Sequence, residues 1–249
     1  MLLLLEAGNP SDRKLRLFNV ACCRRVLLPS AASTLEAVEK KEWGLYCDAL
    51  AVAEKLAEGQ AGASELSQAR DFARSREQSE LSRARDFSRS REQNAYYLWG
   101  AVADALDVVI DVSGVAWKAR VAALHESILN EDGRYDGTED DPAFGAFLAS
   151  EEAAQARLLR DIFGPLPFRR TDIDPFLLTK QDSLVHNLAQ AAYDHRDLPA
   201  GTLDPARLAV LTDALEEVGC DNSDILTHLR GPGPHVRGCW VVDLLLGKE

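Results

Sequence analysis

SDRKLRLFNVACCRRVLLP, residues 11–29, carries both the start and the stop signal of one amphipathic helix. Ser11 is a good N-cap, and Asp12 puts an acid in the first turn, where the exposed amides favour negative charge. Leu15, Phe18, Cys22 and Val26 recur at intervals of three and four, so they make one apolar stripe. Arg13, Lys14, Arg24 and Arg25 fall largely on the other faces, and Pro29 marks the stop. The spacing predicts a helix from about Asp12 to Leu27.

The same grammar runs outward from this stretch. A second helix is expected over Ser33–Glu58, weakened at Gly44 and ended by Gly59 and Gly62. Residues 64–93 are a tandem repeat, SELSQARDFARSREQ followed by SELSRARDFSRSREQ, identical at 13 of 15 positions. Each copy is about four helical turns long. Leu66, Ala69 and Ala73 share a face with Phe72 beside them, and arginines interleave with acids elsewhere, which predicts one long helix laced by ion pairs. Tyr96–Leu129 is the most apolar tract, with Gly114 marking a bend, and is expected to supply much of the core. NEDGRYDGTEDD at 130–141 is a loop. Pro142 opens a helix that stops at Gly164-Pro165. A Pro-containing connector at 164–179 leads to short helices near 180–194, 204–218, 222–229 and 235–246. β-branched runs are confined to 108–110 and 241–242, inside helical periodicity. The expected fold is therefore all-α, a bundle of roughly eight to ten helices with one long repeat-containing helix. A helical region at 1–163 is expected to be followed by a smaller one at 164–249.

Bulk composition narrows the function classes. The net charge is −12, so the surface as a whole repels phosphate backbones. The arginine-rich repeat does not reverse this, because its seven arginines face six acids. Nucleic acid is thus a poor partner. Nothing approaches the roughly 18–20 apolar residues of a membrane helix. Met1–Leu5 is too short, and lacks the preceding basic residues, for a signal peptide; it reads as the stub of a helix. Five cysteines, odd in number and sparse, do not form a secreted disulfide framework, and a reducing cytoplasm is the expected setting.

Four segments carry a resemblance: SDRKLRLFNVACCRR at 11–25, LLRDIFGPLPFRR at 158–170, TDALEEVGC at 212–220 and HLRGPGPHVRGCWVVDLLLGKE at 228–249. Together they resemble a bacterial family abundant in planctomycetes, in which an Ala-rich helical middle of variable length separates two more constrained ends. The resemblance implies helical architecture and names no activity. This chain departs in the middle, where the Arg/Glu/Ser repeat stands in place of the Ala/Trp-rich tract, which suits a spacer or a binding surface.

The chemistry-bearing candidates are few. Cys220, His228, His235 and Cys239 are four potential zinc ligands close together in sequence. His235 and Cys239 are four apart and could share one face of the last helix, while the Gly231-Pro-Gly-Pro234 turn could bring His228 near them. Their spacings match no standard finger, and free cysteine often only packs. Asp243, one turn after Cys239, is a candidate to orient a ligand or to fill a polar gap near Arg237. Cys22 and Cys23 are adjacent on a helix and point about 100° apart, so they do not easily bond to each other. The loop 130–141 is a poor calcium site, with Arg134 where a ligand is needed and no bidentate Glu. The motifs of nucleophile elbows, zinc proteases, P-loops and dinucleotide folds are missing from the sequence, so no catalytic residue is assigned. The expected function is a non-enzymatic helical interaction or scaffold module whose partner is another protein. The rival is a zinc-binding protein, structural or hydrolytic.

Overall fold

The computed structural model describes residues 10–26, 37–86, 100–107, 142–165, 173 and 184–248. The expected core tract from 108 to 129, the loop 130–141, most of the connector 164–179 and the end of the second repeat copy lie outside the described residues. Among the described residues the chain is all-α apart from one two-stranded ribbon. Its helices are α1 Asp12–Val26, α2 Ala37–Ala57, α3 Ala63–Asp86, α4 Pro142–Phe163 and α5 Leu184–Asp194, then α6 Pro205–Glu217, α7 Ser223–Arg230 and α8 Trp240–Leu246. Residues 100–105 are helical as well. None of these is long and apolar enough to cross a membrane.

The chain divides into two compact units, Leu15–Gln155 and a second made of Met1–Lys14 with Ala156–Glu249. The division differs from the expected one at 163/164. The second unit reaches back into α4, because Asp161 near the end of that helix is hydrogen-bonded to residues 228, 235 and 236. It also takes in the start of α1: Lys14 donates to the Ile162 carbonyl, and Arg13 pairs with Asp243.

In the Leu15–Gln155 unit, α1 is buried more widely than one stripe allows. Leu17, Phe18, Val20, Ala21, Cys22 and Cys23 are all in the interior. Arg24 can follow them inside because Glu54 of α2 accepts from its Nε at 2.9 Å, pairing two buried charges. Arg25 pairs with Glu151. Gly44 does not interrupt α2, which buries Tyr46, Ala49, Leu50 and Ala53 at helical spacing. Gly59, with φ of 67°, turns the chain after α2 as expected of a left-handed cap. The first repeat copy lies within α3. Its Leu66–Ala69–Ala73 face packs on the core around Leu50 and Val102, while Phe72 stays exposed. Arg74 reaches out of the repeat to Asp104 at 2.7 Å and Asp107 at 3.2 Å, besides Glu77 on its own helix. The expected ion-pair lacing is thus partly tertiary.

The second unit packs α5, α6 and α8 around Val185, Ala189, Leu208, Leu211, Leu215, Val241, Val242 and Leu245. Asp204 caps α6 by accepting from the Ala206 amide, with Pro205 at the first helical position. Asn222 caps α7. Two strands that the sequence reading did not foresee, β1 Arg196–Asp197 and β2 Thr202–Leu203, pair antiparallel. The edge of β2 then bridges Val236. That bridge corrects the expected last helix: residues 235–239 are extended or turning, and α8 begins only at Trp240 with Cys239 as its N-cap. Gly238 holds a φ of 96°, far outside the helical region, so a helix cannot run through residues 235–239.

Candidate metal centre

Asp161 sits on the inner face of α4 beside Leu158 and Ile162, both in the interior. A carboxylate there requires partners, since an unpaired buried charge costs several kcal/mol. Its Oδ1 faces His235 Nδ1 at 2.8 Å and His228 Nε2 at 3.1 Å, and its Oδ2 accepts from the Val236 amide at 2.8 Å. His228 comes from the last turn of α7, and His235 from the Gly-Pro turn behind it. Cys239 completes the group, with its Sγ 3.2 Å from His228 Nε2. One ligand atom from each of Asp161, His228, His235 and Cys239 lies within 4.8 Å of all the others.

Three of the four candidates from the sequence therefore converge. Cys220 does not. It follows Gly219 after α6 and is packed in the apolar core of the second unit. The helix face that the spacing of His235 and Cys239 led one to expect does not exist; the loop delivers His235, and the helix N-cap delivers Cys239. Asp161 was missed because it stands 67 residues from its nearest ligand partner in the chain. Its signal in sequence is weak but present: a carboxylate between Leu158 and Ile162 on an otherwise apolar helical face. Asp243 does not join the group; it holds Arg13. Cys22 and Cys23 belong to the other unit, both buried and neither in a disulfide.

The electrostatics follow from burial. Desolvation pushes the Asp161 carboxyl up, but the hydrogen bonds and charges of His228 and His235 outweigh it and hold it below the usual carboxylate range. Burial pushes the His235 ring down, but the Asp161 hydrogen bond and charge bring it above its ordinary value. Burial drives the Cys239 thiol well above its ordinary range, Asp161 adds to this, and the amides of Val242 and Val241 partly offset it.

Ring geometry separates two chemistries. In a Cys–His–Asp relay the thiol and the carboxylate engage opposite nitrogens of the imidazole. Here both face the same nitrogen, Nε2 of His228. Cys239 is also fully buried, which leaves a nucleophile no access to substrate. The donors converge on a point rather than passing a proton across a ring. The second nitrogen of His235, Nε2, lies 3.3 Å from the Gly231 carbonyl. With a cation bound at Nδ1, Nε2–H donates to that carbonyl, the usual means of fixing a ligand tautomer.

No protein-family model, curated protein or solved structure matches the chain.

Proposed function

We propose that the unit built from residues 1–14 and 156–249 is organised by a divalent transition-metal ion of the zinc type. In this reading Asp161, His228, His235 and Cys239 are its ligands, and the ion staples a non-enzymatic helical scaffold. The observation that carries this is the convergence of four donors on one buried point. In a tetrahedral zinc shell, with bonds of about 2.0–2.3 Å, donor atoms stand roughly 3.2–3.6 Å apart. Three of the contacts among these donors, at 2.8 to 3.2 Å, are close to that spacing, and all the donor atoms lie within 4.8 Å of one another. One thiolate, two imidazoles and one carboxylate suit zinc better than magnesium or calcium, which prefer oxygen. Charge supports the same ion. A carboxylate and a thiolate in a dry interior sum to −2, and a dication neutralises them, whereas the metal-free thiol must keep its proton.

The role follows from the donor count. A catalytic zinc keeps one position for water, whereas a structural zinc is closed by four protein ligands. These ligands come from α4, α7, the Gly-Pro turn and the N-cap of α8, so one ion ties four stretches of chain. Such a centre holds a surface in shape and turns nothing over, which goes with a module whose partner is another protein. A reducing cytoplasmic setting fits as well, since none of the five cysteines is in a disulfide.

The test is elemental analysis of the full chain purified without chelator, alongside the variants Cys239→Ala and His235→Ala. One zinc per chain, lost in both variants, is the expected result. Wild-type protein that is folded, metal-free and unable to take up added zinc would overturn the proposal.

A further inference from the structure

The second oxygen of Asp161 decides which ions this centre accepts. We infer that Asp161 binds through Oδ1 alone and that the centre is four-coordinate and closed to water, so that it selects zinc-like tetrahedral ions against those requiring six ligands. The inference rests on the metal reading above and goes beyond it to the coordination mode.

Three features carry it. First, Oδ2 is already engaged: the Val236 amide donates to it at 2.8 Å, while Oδ1 faces both imidazoles. Rotating the carboxylate to offer both oxygens would break that bond and leave a buried amide unsatisfied. Second, the Val236 amide cannot follow such a rotation. Its residue is held by the bridge to Thr202, and the preceding His235 carbonyl accepts from the Leu203 amide at 2.8 Å. β1 and β2 therefore brace the metal-binding turn from behind. Third, the donors leave little room for further ligands. The side chains of Asp161 and His235 are 3% and 7% exposed, Cys239 is fully buried, and only His228 shows an edge, at 18%. The Trp240 ring lies 5.2 Å from the His228 ring. Ions such as manganese and magnesium demand near-octahedral shells and keep several waters. A dry site offering one oxygen, two nitrogens and one sulfur does not supply such a shell.

Cobalt(II) reports the geometry directly. Full-length protein stripped with a chelator and titrated with cobalt(II) is expected to bind one equivalent. It should show a thiolate-to-cobalt charge-transfer band together with the intense visible bands of a four-coordinate ion. Zinc should erase the spectrum, and about a hundredfold excess of manganese(II) should leave it unchanged. Asp161→Asn, checked for folding by circular dichroism, should weaken cobalt binding at least about tenfold. Cobalt bound with the pale spectrum of a six-coordinate ion, or displaced by manganese, would overturn this inference while leaving the metal centre standing. So would an Asp161→Asn protein with wild-type affinity and spectrum. A folded wild-type protein that binds neither cobalt nor zinc would sink the metal centre itself, and this inference with it.

Discussion

Arg13 donates to both carboxylate oxygens of Asp243, at 2.7 and 3.1 Å, across 230 residues of chain. The pair is nearly dry, with the Asp243 side chain 1% exposed, and Arg13 also donates to the Tyr193 hydroxyl at 2.8 Å. The start of α1 is thereby anchored on α8 and α5. Removing one member of a buried pair leaves a charge without its counterion, at a cost of about 3–5 kcal/mol, whereas replacing both by apolar groups costs much less. Arg13→Met is expected to lose stability in that range in urea titrations. The double variant Arg13→Met/Asp243→Leu should recover most of it. Additive losses would show that the two residues are not energetically coupled.

A metal that binds only the folded state stabilises it by mass action, by about 4 kcal/mol at a thousandfold excess over its dissociation constant. Stripping the protein with a chelator should therefore lower Tm by many degrees, and adding zinc back should restore it. The emission of Trp240 should shift with each step, because its ring packs against His228. Melting curves that coincide with and without the ion would remove the stapling role.

Cys220 and Cys239 make a matched comparison, both buried, 19 residues apart and in no disulfide. Cys239→Ala is expected to abolish metal uptake. Cys220→Ala should keep full stoichiometry and lose only the packing of one sulfur atom, about 1 kcal/mol. Metal loss in the Cys220 variant alone would reverse the assignment.

The helices were legible because apolar residues recur every three or four positions, as in Leu208, Leu211 and Leu215 of α6. Punctuation was legible too: Pro142 opens α4, and Gly59 and Gly164 close α2 and α4, where expected. The two strands escaped notice since two-residue elements carry no periodicity. Their pairing with Val236 then moved the start of α8 to Trp240. The centre was three-quarters visible, through His228, His235 and Cys239. Nearness in sequence wrongly recruited Cys220, and it hid Asp161, whose approach to the histidines is set by packing between α4 and the C-terminal turn.

Gly233 shapes that turn. Its φ is 71°, and a Cβ placed there would lie 2.8 Å from the His235 backbone nitrogen and 3.4 Å from its ring. Gly233→Ala is expected to cost about 1–2 kcal/mol through the left-handed backbone alone. It should also weaken metal binding by displacing His235. Gly219→Ala is the control: its φ is 95°, but no atom lies within 4 Å of the added carbon. It should lower Tm similarly and leave the zinc affinity unchanged. Equal effects of the two substitutions on affinity would show that strain, not ligand position, is responsible.

The duplicated segment offers a test in the other unit. Deleting residues 64–78 slides the second copy into the register of the first, placing Leu81 where Leu66 was and Ala84 where Ala69 was. Arg89 takes the position of Arg74, which serves Asp104 and Asp107. The one change at a buried point is Ser88 in place of Ala73, whose site is fully closed to solvent. Burying that hydroxyl costs about 1–3 kcal/mol, less if it bonds back to the preceding helical turn. The shortened protein should therefore fold with a modestly lower Tm, and adding Ser88→Ala should restore most of the loss. Because the deletion lies wholly within Leu15–Gln155, the metal content should stay at one ion per chain. Loss of helicity on deletion, unrelieved by Ser88→Ala, would mean that the repeat's length is itself required by the fold and that it is no spacer.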